Sequence, residues 1–255
     1  MVNGTAEHPS EVGSPRRTGR ARHARQQVPR LSVALAAALT TVVHPFVYAP
    51  TASAAEGCPD VQVVYARGTF EPPGVGLTGQ AFVDALRGRL PGKSVDVYPV
   101  NYPASLDFAR AADGVIDATK KVQDVAAKCP TTKMVLSGYS QGAAVIAYIT
   151  TDSVPADYKL PPGITGPMPT SVAGHVAAVT LFGKPSTGFM NMIDRNAPPI
   201  TIGSGYAGKS LDLCVPADPI CSPDGAGDAG NHTLYAVNGM ADQAATFATQ
   251  HLQLT

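Results

Sequence analysis

KMVLSGYSQGAAVIAYI, residues 133–149, decides the reading of this chain. Lys133-Met134-Val135-Leu136-Ser137 is a short apolar run of strand length, and AAVIAYI, residues 143–149, is rich in helix formers. Between them stands Gly138-Tyr139-Ser140-Gln141-Gly142, a G-x-S-x-G pattern. A strand that turns directly into a helix holds such a serine on a strained backbone, and side chains two residues to either side would strike the neighbouring strand and helix. The strain lifts the hydroxyl above the sheet edge, where the first helical turn adds a positive field. An ordinary glycine-rich turn is the bland alternative, but these flanks favour Ser140 as a nucleophile.

Outward from this turn, short apolar runs alternate with segments of helical spacing, the pattern of βαβ units around a parallel sheet. Strands are predicted at 61–66, 94–100, 133–137, 175–182 and 210–214. Helices are predicted near 79–90, with Phe82, Leu86 and Leu90 on one face, and at 106–128, burying Phe108, Val115, Ile116, Val122 and Val125. Further helical segments fall near 142–150 and 234–252. A parallel sheet needs both faces covered, so the expected fold is a three-layer α/β/α sandwich with five parallel strands and its site at their carboxyl ends. No repeat or heptad is visible.

A serine hydroxyl needs a base, and histidine is the side chain suited to that task near neutral pH. His175 opens a predicted strand and His251 lies on the last helix. His232 follows the loop DGAGDAGN, downstream of the final strand, where the chain order Ser, Asp, His delivers its base. For the acid, Asp218 stands between Pro216 and Pro219 in a loop bracketed by Cys214 and Cys221, and a rigid loop is what an orienting carboxylate requires. Asp212, Asp224 and Asp228 are its rivals. A tetrahedral intermediate also needs preorganised donors. The backbone N–H of Gln141 directly follows the nucleophile, and Thr69, in Arg67-Gly68-Thr69-Phe70-Glu71 after the first strand, offers an N–H and a hydroxyl.

Composition bounds the alternatives. With 255 residues, 44% hydrophobic and 15% charged, the chain can bury a sizeable core. Residues 1–54 hold six arginines against Glu7 and Glu11, so the remainder carries 13 of the 19 basic side chains and 17 of the 19 acidic ones. No basic cluster survives past residue 30, which argues against a nucleic-acid partner. The Arg-rich leader runs into LSVALAAALTTVV from Leu31, followed by Ala52-Ser53-Ala54-Ala55, the grammar of a cleaved signal peptide. Pro45 and Pro50 cut the apolar run short of a span, so no stable membrane helix is expected. Residues 1–54 are therefore read as a removed signal and 55–255 as one secreted domain.

Four cysteines, Cys58, Cys129, Cys214 and Cys221, lie in that domain, and an even count in an exported chain implies two disulfides, with three pairings open. No C-x-x-C pair supports a zinc site, so neither metal nor cofactor is expected.

Taken together, Tyr65-Ala66-Arg67-Gly68-Thr69, Gly138-Tyr139-Ser140-Gln141-Gly142, the spacing of Cys214, Asp218 and Cys221, and His232-Thr233-Leu234-Tyr235 resemble the cutinase family of serine esterases, in particular the exported cutinase-like proteins of mycobacteria and related actinobacteria. The resemblance implies a compact α/β hydrolase without a large lid, bridges Cys58–Cys129 and Cys214–Cys221, a triad of Ser140, Asp218 and His232, and an oxyanion hole from the N–H groups of Thr69 and Gln141. Many members carry serine followed by Thr-Glu where this chain has Thr69-Phe70-Glu71, and the added methyl of Thr69 restricts its rotamer. The expected activity is hydrolysis of carboxylic esters or lipids by a monomer at an open site. Acyl transfer to a sugar acceptor through the same triad, and a non-catalytic secreted binding protein, are the rival expectations.

Overall fold

The computed structural model describes residues 57–254; the signal peptide and cleavage site expected from the sequence lie outside them. Five strands form one parallel sheet: β1 (Val61–Ala66), β2 (Val95–Pro99), β3 (Lys133–Tyr139), β4 (Val176–Phe182) and β5 (Ser210–Leu213), in the spatial order β2-β1-β3-β4-β5. The chain first builds toward one edge and then returns to build toward the other. The reversal falls between β1 and β3, and the crevice above their carboxyl ends is where an open parallel sheet holds its ligand.

The strand pleat sorts β1 onto two cores. Val61, Val63 and Tyr65 pack on one face with Phe82 and Leu86 of α1 (Gly76–Arg89) and Ala244 and Ala248 of α6 (Met240–His251). Val64 and Ala66 face the other way, toward Ala118 and Val122 of α2 (Ala111–Lys128) and Val145 and Ile146 of α3 (Gln141–Ile149). Two faces covered by helices make the expected three layers. α3 is apolar nearly all round and almost wholly buried, as a helix beneath a central strand must be. Two short helices, α4 (Thr187–Ile193) and α5 (Ser204–Ala207), occupy the β4–β5 connection.

Several boundaries differ from the sequence reading. β3 runs on to Tyr139, so the strand reaches the residue just before Ser140. The helix expected over 106–128 begins as a 3-10 turn, Phe108–Arg110, before α2 proper. The helical segment expected over 234–252 is two elements, a 3-10 turn at Ala229–Ala236 and then α6, parted at Gly239, whose φ of 88° a left-handed turn requires. Within the helix expected over 106–128, Val122 and Val125 are buried as foreseen, whereas Phe108, Val115 and Ile116 are only half-buried. Phe108 and Val115 line a groove instead. α4 and α5 were not foreseen, because their segment is short and broken by Gly and Pro.

Candidate active site

The turn from β3 into α3 has the geometry its glycines anticipate. Ser140 sits at φ 55° and ψ −120°, a conformation that non-glycine residues adopt only when their surroundings impose it. A Cβ on Gly138 would lie 2.4 Å from the Gly142 carbonyl oxygen, and one on Gly142 would lie 2.0 Å from that of Ala66. The Ser140 N–H donates to Phe182 O at 2.8 Å, which ties the serine across to β4.

Residues 92 and 78 positions away in the chain meet this serine. Ser140 Oγ lies 2.8 Å from His232 Nε2. His232 Nδ1 lies 2.7 Å from Asp218 Oδ2. A carboxylate only accepts, so the Nδ1 proton points to Asp218 and leaves Nε2 free to accept from the serine hydroxyl. His232 rides on the 229–236 turn, whose first N–H groups are capped by Asp228: its side chain accepts from Gly230 N at 2.8 Å. The carbonyl of His232 accepts from Tyr139 OH at 2.5 Å.

Asp218 is fully buried. Its Oδ1 accepts from Ile220 N at 2.9 Å, and its Oδ2 accepts a second bond, from Tyr235 OH at 2.6 Å. Burial alone pushes the carboxyl up, but hydrogen bonds from His232, Tyr235 and the Ile220 N–H outweigh it and hold the group below the usual carboxylate range. The disulfide Cys214–Cys221 closes the loop around it, and Cys58–Cys129 spans 71 residues from ahead of β1 to the end of α2. The rivals are elsewhere engaged: Asp212 pairs with Lys184 at 3.1 Å, Asp224 caps Ala226 N at 3.1 Å, and His251 Nδ1 bonds Phe247 O at 2.8 Å. His175 closes a 3-10 turn at the opposite, amino-terminal end of β4.

The β1 exit is strapped from several sides. Glu71 accepts from Gly68 N at 2.6 Å through Oε2 and from Leu77 N at 2.9 Å through Oε1. Arg67 donates to the carbonyls of Glu71 at 2.8 Å and Tyr102 at 2.6 Å. Thr69, Ser140 and Gln141 share the lining of one groove of about 400 Å³. Its walls are mostly apolar, among them Leu106, Val115, Ile164, Met168, Phe189 and Ile193, and among the described residues they include no lysine or arginine. Sequence reasoning missed the Glu71 strap and the Tyr235 hydroxyl; both stood in quoted motifs, but nothing in the spacing assigns them a partner.

The chain is similar to known proteins over most of its described length. The family model described as Cutinase matches residues 57–252. The chain belongs to the cutinase family. Two relatives from Mycobacterium tuberculosis are carboxylesterase Culp1, 43% identical over 228 residues with 88% of this chain and 97% of the relative covered, and probable carboxylesterase Culp5, 50% identical over 171 residues with 67% and 95% covered. A solved cutinase family structure, that of Trichoderma reesei cutinase with a phosphonate inhibitor, is 29% identical, covers 77% of this chain and 78% of its own, and superposes with a TM-score of 0.56.

Proposed function

We propose that this chain is an exported carboxylic ester hydrolase in which Ser140, His232 and Asp218 form the catalytic triad. The observation that carries the reading is the unbroken line of hydrogen bonds from Ser140 Oγ through both imidazole nitrogens to a buried carboxylate, placed at the wall of an apolar groove.

In the mechanism, Ser140 Oγ attacks the ester carbonyl carbon while His232 Nε2 takes the hydroxyl proton. Asp218 holds the imidazole in one tautomer and favours the imidazolium without taking the proton. Negative charge gathers on the former carbonyl oxygen, where the N–H groups of Thr69 and Gln141 receive it, aided by the positive end of α3. The intermediate collapses, His232 returns the proton to the departing alkoxide, and an acyl-Ser140 remains. Water, deprotonated by the same imidazole, releases the acid and restores the serine.

The groove argues for an apolar acyl chain. Phe70 and Leu106 line it and also stand 74% and 61% exposed, so its apolar wall continues to the outside of the molecule. Each methylene taken from water contributes about 0.8 kcal/mol, or roughly fourfold in kcat/KM until the groove is full. Two disulfides fit an extracellular protein, and the leader of residues 1–54 supplies the route out.

The test is a series of p-nitrophenyl esters from acetyl to decanoyl, run with wild type and Ser140→Ala alongside a fluorophosphonate probe read by mass spectrometry. Wild type is expected to gain in kcat/KM with chain length and to take the probe at Ser140. Ser140→Ala is expected to fold normally and lose at least about a thousandfold in turnover. Retained turnover in that variant overturns the triad, and a flat chain-length series overturns the acyl groove. Acyl groups passing to glycerol or trehalose in preference to water would replace hydrolysis with transfer.

A further inference from the structure

Tyr235 lies three residues beyond His232 on the same 3-10 turn and is completely buried. Its hydroxyl oxygen accepts from Val215 N–H at 3.1 Å and sits 2.6 Å from Asp218 Oδ2. The Cys221 sulfur, 3.3 Å away, belongs to a disulfide and has no proton to give. An amide N–H only donates and a carboxylate only accepts, so the direction is fixed: the phenolic proton points at Asp218. The oxygen it reaches is the one that receives His232 Nδ1–H, while Oδ1 is taken by Ile220 N–H.

We propose that Tyr235 is a positioning residue for ester hydrolysis: by sharing Asp218 Oδ2 with the imidazole, its hydroxyl sets how much carboxylate charge falls on His232 and therefore the pH range over which that histidine serves as base. The proposal rests on the triad reading. Tyr235 is absent from the lining of the groove, and its hydroxyl acts through Asp218; its ring also stands edge-on to that of His232 with centres 6.1 Å apart, a contact that phenylalanine and 3-fluorotyrosine both keep.

The physical argument is one of a shared acceptor. A hydrogen bond to a charged oxygen favours the charged form and takes up part of its field. With the phenol gone, Asp218 loses one of three bonds that hold it ionised against burial, and the charge remaining on Oδ2 is directed wholly to the imidazole. Both effects push the acid limb of the activity profile to higher pH. The first makes the carboxylate easier to protonate, and the second favours the imidazolium.

Few other ionisable groups intervene. Tyr139, at the end of β3, has its ring centre 5.0 Å from that of His232 but bonds its backbone carbonyl. Glu71 acts on Tyr139 and is committed to two backbone N–H groups. Asp228 caps the turn, and Lys184, just past β4, pairs with Asp212. None of these bonds the imidazole or the Asp218 carboxylate.

The experiment measures kcat/KM against pH on a soluble short-chain ester for wild type, Tyr235→Phe, and protein carrying 3-fluorotyrosine at position 235. The phenylalanine variant is expected to move the acid-limb midpoint up by about 0.5 pH unit, a loss of roughly threefold on that limb. Fluorination strengthens the donor without changing the packing and is expected to move the midpoint down. It also keeps the Val215 contact, so it tests the proposal if the phenylalanine variant does not fold. A midpoint within about 0.1 unit of wild type in a folded variant, or both midpoints moving the same way, overturns it. Failure of the triad itself would look different, with turnover persisting in Ser140→Ala.

Discussion

Gly142→Ala puts the elbow to a quantitative test. The new methyl would stand 2.0 Å from Ala66 O, 2.4 Å from Ala66 C and 2.5 Å from Arg67 O. An ordinary carbon-to-oxygen contact is about 3.3 Å or more, so α3 and the β1 exit must part by roughly 1.3 Å. All three opposing atoms are backbone, with no rotamer to yield. Ala66 is in register with Gly138 of β3, and Arg67 is bonded to Tyr102 and Glu71, so much of the movement falls on the start of α3. Overpacking of this kind costs about 1–3 kcal/mol, which in a domain of roughly 200 residues lowers Tm by about 2–12 °C. The same shift separates the Gln141 and Thr69 N–H groups, and a misplacement of about 1 Å in a reacting centre costs on the order of a hundredfold in kcat. KM should change little, because the apolar groove keeps its walls. Differential scanning fluorimetry and steady-state kinetics on p-nitrophenyl butyrate measure both effects. A Tm within about 1 °C of wild type together with a kcat within about twofold would refute the steric account.

Other outcomes follow from the surroundings of the triad. Glu71→Gln keeps shape but leaves one neutral acceptor and one NH2 donor where the carboxylate accepted from both Gly68 N and Leu77 N, so one strap bond is lost and kcat should fall several-fold with KM nearly unchanged; equal activity would show the strap to be dispensable. Reduction of the two bridges removes, in the chain-entropy model, about 4 kcal/mol for the 71-residue separation and about 2.5 kcal/mol for the seven-residue one. Unchanged melting in strong reductant would contradict that. Asp218 has its folded pKa below the unfolded value of about 3.9, so the stability it contributes is fully present above that value and is lost as pH falls through the folded one. Melting temperature should therefore drop more steeply below about pH 4 in wild type than in Asp218→Asn, and parallel curves would argue against the assignment.

Much of this architecture is legible in the amino-acid order because local and global signals agree. The run from Lys133 to Ile149 reads as strand, turn and helix, and the structure builds it so. The five strands fall within a residue or two of their expected places. What periodicity cannot tell is what an apolar face packs against. Phe108, Val115 and Ile116 carry the spacing of a core face, yet Phe108 and Val115 look into a groove, whose far wall comes from residues 153–168 and 185–199. Nor does local sequence reveal that one hydroxyl serves a carboxylate 17 positions earlier, as Tyr235 does for Asp218. The break at Gly239 is marked in the sequence by the turn pair Asn238-Gly239, but the alanine-rich run that follows it supports helix and outweighs that signal.

The two bridges join each cysteine to the next one along the chain, Cys58 to Cys129 and Cys214 to Cys221. A polypeptide threaded through a membrane from its amino end would present them in that same sequence. For Cys58 and again for Cys214, the proper mate would then be the very next thiol to reach an oxidising space, so first-come oxidation would yield the native set and no wrong bond would have to be reshuffled.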